Sequence, residues 1–166
     1  ADRILGNLDK SPIVLLSGPS GSGKTTTAMK VERELERRGV NAHTVSMDNY
    51  FKTLNRSTAP RTPEGDIDYE SPQCLDMKLL DQHFAALSRG EEIIIPKFEF
   101  ARQMRNDSRG TLLKLDKNEI AIFEGIHALN PELTSLVPGD QIYRVYAGLR
   151  EEYCICLLYT SPSPRD

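Results

Sequence analysis

Hydrophobic residues fall into short runs separated by polar, glycine-containing breaks, and the spacing inside each run predicts its element. Ile13 to Ser17 is an unbroken β-branched and leucine run that ends in glycines, the pattern of a parallel strand buried on both faces. From Lys24 to Arg38, Ala28, Val31 and Leu35 recur at helical spacing, Arg37 and Arg38 sit in the last turn, and Gly39 supplies a left-handed stop. Ala42 to Met47 reads as a second strand that runs into Asp48. Asn55 to Glu70 holds Pro60, Pro63 and Gly65 among polar neighbours and reads as a loop. Ser71 predicts a cap for a helix that starts with Pro72, carries Leu75, Leu79, Leu80, Phe84 and Leu87 on one side, and stops at Gly90.

Ile93 to Phe98 and Thr111 to Leu115 predict a β-hairpin around the polar, arginine-rich stretch from Arg102 to Gly110. Ile120 to Phe123 is a third buried strand ending at Glu124-Gly125, and Ile142 to Ala147 is a fourth, expected at an exposed sheet edge. Strands alternating with helices predict an α/β fold with a parallel sheet covered on both faces. No internal repeat is visible.

At 166 residues the chain fits one domain with a sizeable core. With 39% hydrophobic and 27% charged residues, it is neither disordered nor fibrous in composition. Its formal charge of -3 supplies no basic field for nucleic acid or an anionic membrane, so any positive site must be local. The apolar runs are too short to span a bilayer and no signal-peptide core opens the chain, which predicts a cytoplasmic protein. Cys74, Cys154 and Cys156 form no C-x-x-C pair, so they support neither a disulfide framework nor a zinc site.

The first residue is Ala1 rather than Met, as in an internal fragment of a longer chain. Composition changes abruptly at the other end, where Cys156 to Asp166 (CLLYTSPSPRD) resembles the in-frame translation of a sequencing-library adapter. The expected division is therefore a domain over 1–155 and a non-native tail over 156–166 that neither packs on the domain nor contributes to a site.

Gly18-Pro19-Ser20-Gly21-Ser22-Gly23-Lys24-Thr25 fits G-x-x-x-x-G-K-[ST], between a predicted strand and a predicted helix. Glycines let the backbone curl so that N–H groups point at phosphate oxygens, and the helix adds its positive end. Ser20, Gly21, Ser22, Gly23, Lys24, Thr25 and Thr26 are thus the candidate nucleotide contacts. Lys24 is expected to reach the β and γ phosphates of ATP, and the Thr25 hydroxyl to ligate Mg2+. Two acids follow strands, where open α/β sheets bind ligands: Asp48 and Glu124. Glu124 is expected to orient the magnesium hydration shell, and Asp48 to accept the proton of a substrate hydroxyl.

Five segments together resemble the uridine kinase and phosphoribulokinase family, a group of P-loop kinases. They are Gly18 to Thr25, Ser46 to Phe51, Asp68 to Pro72, Ile95 to Phe100, and Phe123-Glu124-Gly125-Ile126-His127, in the family's order between Pro12 and about Arg150. The likeness is strongest to bacterial uridine-kinase-like nucleoside kinases. It implies the three-layer P-loop NTPase fold with a substrate-side hairpin, and ATP-dependent transfer of the γ-phosphate to a nucleoside hydroxyl. Asp48 becomes the catalytic acid residue, and Phe51, Glu70, Phe98 and Phe100 join it around the acceptor. Glu70 stands where uridine kinases usually have Asp, Phe98 where Tyr is common, and no base-recognising His occurs near Gln103. The family also continues into an arginine-bearing lid and a fifth core strand, neither of which precedes Ile155, so the resemblance implies a C-terminally truncated domain.

The arginines Arg102, Arg105 and Arg109 read as solvated loop charges, and His127 as structural. A phosphoribulokinase-like or pantothenate-kinase-like acceptor, a P-loop GTPase switch and a non-catalytic ATP-binding module are the alternatives. Against the switch, Asp116-Lys117-Asn118-Glu119 does not fit N-K-x-D, although Asp107-Ser108-Arg109-Gly110 spells D-x-x-G. A small-molecule substrate is the expected partner, and the sequence is compatible with a homo-oligomer.

Overall fold

A computed structural model describes residues 1–6, 10–19, 21 and 23–148. The tail expected over 156–166, and Ser20 and Ser22 of the glycine-rich loop, lie outside these residues.

Four parallel strands form the central sheet: β1 (Ile13–Ser17), β2 (Asn41–Ser46), β5 (Glu119–Glu124) and β6 (Ile142–Tyr146), in the order β2-β5-β1-β6. β1 and β5 are interior strands. Alternate residues of each feed opposite faces, which is why both read as unbroken apolar runs. Ile13, Leu15, Ala121 and Phe123 face one core, with Leu80 and Phe84 of α3 (Met77–Ser88). Val14, Leu16, Ile120 and Ile122 face the other, with Ala28 and Leu35 of α2 (Lys24–Arg37) and Ile4 of the short α1 (Asp2–Leu5). Phe84 meets Phe123 edge-to-face with ring centroids 4.8 Å apart, a geometry favoured by the aromatic quadrupole. The expected three layers are thus present. β6 ends the sheet among the described residues and buries only Ile142 fully, as expected of an edge.

The hairpin β3 (Ile93–Glu99) and β4 (Met104–Leu113) forms a separate antiparallel ribbon. Its inner residues Ile93, Ile95 and Leu113 join the α3-side core. Here the predicted extents need correction, because β4 runs through most of the stretch read as a connection. Partners shift from Ile95↔Thr111 to Lys97↔Asn106, so residues 107–110 bulge out opposite Pro96, which has no N–H to give a ladder. The actual turn is 100–103, where Gln103 takes a φ of 51°.

The helix predicted from Pro72 starts five residues later. Ser71 does act as a cap, its hydroxyl accepting from Gln73 N–H at 3.3 Å, but only for a 3-10 turn over Pro72–Cys74. Leu75 is then taken into an antiparallel bridge with Phe51, and Asp76 N–H bonds to the Tyr50 carbonyl at 2.9 Å. Asp76 itself caps α3 by accepting from Leu79 N–H at 3.1 Å. Among the described residues, no helix is long and apolar enough to cross a membrane.

Candidate active site

The candidate phosphate side is built at the carboxyl ends of β1, β5 and β2. Leu16 and Ser46 flank Glu124 in register, so the three strand ends stop at one level. Beyond β1 the chain turns through Gly21 and Gly23, whose φ values of 75° and 80° lie in the left-handed region that a Cβ disfavours. α2 begins at Lys24, putting Lys24, Thr25 and Thr26 in its first turn. Thr25 Oγ1 donates to Glu124 Oε1 at 3.2 Å, and the Lys24 ammonium donates to the Pro19 carbonyl at 2.9 Å. Glu124 is only 7% exposed.

Thr25 and Glu124 are a hard oxygen pair of the kind that Mg2+ uses beside substrate phosphates, where it takes one or two protein ligands and keeps its waters. No cluster of three or more His, Cys, Asp or Glu suited to a metal occurs among the described residues. The donor set therefore fits a nucleotide-borne magnesium ion better than a protein-enclosed one.

Asp48 enters the same crevice from β2. The strand ends at Ser46, whose hydroxyl accepts Asp48 N–H at 3.3 Å and starts a 3-10 turn over Met47–Tyr50. Ser46, not Asp48, thus caps the turn. The Asp48 carboxylate makes no hydrogen bond to a described residue; partial burial pushes its carboxyl above the ordinary value, and the Lys24 charge opposes that shift. Lys24, Thr25, Glu124 and Asp48 therefore gather at three neighbouring strand ends, linked by the Thr25–Glu124 bond and by the Lys24 charge acting on Asp48.

Two buried residues fix the Asp48 turn. Met47 is fully buried against Gly125, where an added Cβ would come within 3.0 Å of Met47 Cβ and 3.2 Å of its sulfur. Gly125→Ala is expected to cost about 1–3 kcal/mol of stability by overpacking this contact. It should also lower turnover by moving the neighbour of Asp48; denaturant midpoints and initial rates check both.

Tyr50 is buried on the other side of the turn and hydrogen-bonds with His83 Nδ1 at 2.8 Å. Burial raises the Tyr50 hydroxyl above its ordinary range. Burial also pushes His83 down, aided by Arg105 and opposed by Asp76. The folded His83 therefore takes a proton less readily than the unfolded chain. Its contribution is complete above the ordinary histidine value of 6.5 and falls as pH drops through it. Melting temperatures measured across this range should decline less steeply in His83→Gln than in the parent.

An aromatic cluster follows the Asp48 turn. Phe51, Phe98 and Phe100 gather with ring centroids 5.6, 6.3 and 5.0 Å apart in edge contacts. They line a cavity of about 400 Å³ together with Leu54, Ile67, Tyr69 and Gln103. Lys52 and Arg56 supply its cations. Glu70 does not line this cavity: its backbone carbonyl accepts from His127, and its neighbour Tyr69 is among the lining residues. Arg56, Ile67 and Tyr69 of this lining fall within Asn55 to Glu70, the proline-containing stretch that reads as a loop, and Lys52 and Leu54 just before it carry no local signal of a site. A larger cavity of about 630 Å³ lies across the same segment, sharing Lys52 and Leu54, and holds none of the predicted site residues.

The reading of Arg105 as a solvated loop charge is also corrected. It is partly buried and bonds Asp76 at 2.8 Å and Asp107 at 2.6 Å, tying the hairpin to the cap of α3. Arg102 and Arg109 are exposed and lie against Glu99 at 3.4 and 3.6 Å. Asp107 to Gly110 sits in the hairpin bulge rather than beside the phosphate loop, so the D-x-x-G resemblance has no switch geometry.

The profile of the phosphoribulokinase / uridine kinase family matches residues 13–137, most of the chain. This chain belongs to that family. Among its relatives, the uridine kinase of Schizosaccharomyces pombe is 34% identical over 117 residues, covering 70% of this chain and 25% of that protein. The uridine kinase of Halobacterium salinarum is 30% identical over 128 residues, covering 77% of this chain and 53% of that protein. This family chain thus spans about half or less of these two proteins. A solved structure of a possible uridine kinase from Bacillus stearothermophilus matches with a TM-score of 0.63 and 17% identity, covering 87% of this chain and 80% of that one. At that identity the likeness shows the fold, the family's P-loop α/β architecture.

Proposed function

We propose that the chain is the nucleotide- and acceptor-binding part of an ATP-dependent kinase that phosphorylates a nucleoside hydroxyl. The carrying observation is the register that brings Lys24, Thr25, Glu124 and Asp48 to one crevice. Membership of a kinase family supports the reaction class, and the aromatic cavity beside that crevice supports a planar acceptor, because rings stack on bases.

The backbone of 18–23 and the Lys24 ammonium would hold the triphosphate, with Lys24 exchanging its Pro19 carbonyl for phosphate oxygens. Thr25 and Glu124 would hold Mg2+, directly or through its waters; when bound, the ion neutralises charge that gathers on the transferred group. Asp48 orients the acceptor hydroxyl and takes its proton as the new P–O bond forms and the bond to the β-phosphate oxygen breaks. A carboxyl raised above its ordinary value is the better proton acceptor for that step. Phe51, Phe98, Phe100 and Tyr69 exclude water around the base.

Incubation with γ-labelled ATP, magnesium and a panel of nucleosides, a phosphorylated pentose and pantothenate tests the reading. Label in a nucleoside monophosphate is expected. Label only in the phosphorylated pentose or in pantothenate would overturn the nucleoside assignment. Bound ATP with no transfer to any acceptor would favour a non-catalytic module.

A further inference from the structure

We infer that His127 is a positioning residue that sets acceptor affinity by tying the Tyr69–Glu70 segment to the nucleotide-bearing sheet edge. The inference rests on the proposal that the aromatic cavity holds the acceptor.

The residues after β5 are fixed from below. Gly125 N–H bonds to the Leu16 carbonyl at 3.1 Å, and the Ser17 hydroxyl donates to the Ile126 carbonyl at 3.0 Å. Ala128 and Asn130 N–H close turns onto the carbonyls of Gly125 and His127 at 3.2 and 2.9 Å. The backbone of His127 is therefore an extension of the sheet edge that carries Glu124. Its side chain leaves that platform and approaches the Glu70 carbonyl with Nε2 at 2.5 Å. A carbonyl oxygen only accepts, so Nε2 carries the proton.

The segment on the receiving side has no other direct bond to the β5 end among the described residues. Asp68 N–H bonds to the Pro60 carbonyl at 2.8 Å, Glu70 N–H to Asp68 Oδ1 at 3.0 Å, and the Cys74 thiol to the Asp68 carbonyl at 3.3 Å. Apart from the bond to His127, every hydrogen bond of residues 66–70 among the described residues goes to a residue between 60 and 74. Of these partners, Cys74 leads on to Lys52, whose N–H its carbonyl accepts at 2.8 Å, and none of the bonds reaches the end of β5. Tyr69, 55% exposed, nonetheless lines the same cavity as the phenylalanine rings. The imidazole thus transmits the position of the β5 end to the acceptor wall.

Three proteins test this: the parent, His127→Leu, which removes the donor, and His127→Gln, whose side-chain amide restores an N–H at similar reach. Removing one hydrogen bond predicts a roughly three- to tenfold rise in the nucleoside KM of His127→Leu. KM for ATP and kcat should stay near the parent values, and His127→Gln should recover most of the loss. Amide exchange in residues 66–71 should quicken in His127→Leu and return in His127→Gln. An unchanged nucleoside KM in His127→Leu overturns the inference, as does an equal loss of ATP and nucleoside affinity, the mark of general unfolding. A parent that binds ATP but no nucleoside would sink the proposed function instead, and unchanged exchange in His127→Leu would then sink the tether separately.

Discussion

Lys24→Ala is expected to lower turnover about a hundredfold or more and to weaken ATP binding, with little change in fold stability. The reason lies in what Lys24 contacts: a loop carbonyl at 2.9 Å and the field of Asp48, with no salt bridge to a core carboxylate. Its charge is available for phosphate and contributes little to packing. Removing a preorganised donor aimed at developing charge costs on this scale because the site has no mobile substitute for it. Titration with ATP and steady-state kinetics of the variant decide the matter. Parental affinity and rate would remove the phosphate-binding role from the loop.

Asp48→Asn should separate chemistry from nucleotide binding. Turnover should fall by about a hundredfold or more, the usual loss of a positioned acid-base group, while ATP affinity stays near the parent value. The same substitution has a stability consequence of definite sign. Burial raises the folded carboxyl above its ordinary value of 3.8, so the folded state holds this proton more tightly than the unfolded chain. Above that range the charged form costs stability, and Asn removes the cost. A variant that is slower but melts at the same or a higher temperature at neutral pH is the expected pair of results. A variant that turns over at the parental rate would end the assignment.

The sheet and the nucleotide loop were legible because their signals are local. β1 and β5 are buried on both faces, so Ile13 to Ser17 and Ile120 to Phe123 carry no polar alternation to confuse. Gly21 and Gly23 occupy left-handed positions that few other residues accept. Misreadings arose where a valid local signal was overruled by a distant partner. Ser71-Pro72 is a sound helix start, yet Leu75 is drawn out of helix by Phe51, which lies 24 residues earlier. Arg102 to Gly110 looks like a loop because much of β4 is exposed and because the residues opposite Pro96 bulge.

The candidate site was readable from two kinds of signal. Lys24, Thr25, Asp48 and Glu124 were each marked by their place at a strand end, and Phe51, Phe98 and Phe100 by resemblance. Glu70 was placed by resemblance too, but the cavity wall takes Tyr69 in its stead. Nothing local distinguishes Arg105 from its neighbours Arg102 and Arg109. Only folding α3 against the hairpin shows that Asp76 claims one and leaves the others outside.

The strand order β2-β5-β1-β6 also governs when this protein can first work during its own synthesis. β1 and β2 are made early but do not pair with each other, because both ladders are reserved for β5, whose Ala121 partners Ile13 and His43. Until residues 119–124 have left the ribosome, neither strand has the partner that lies between them in the folded sheet. Long-range pairing of this kind is slow and exposes the chain to aggregation. A nascent chain stopped before β5 would carry the phosphate loop's glycines and lysine but neither Glu124 nor a sheet to hold the loop. Insertion of one six-residue strand thus completes the core and brings Glu124 to the proposed nucleotide site at once.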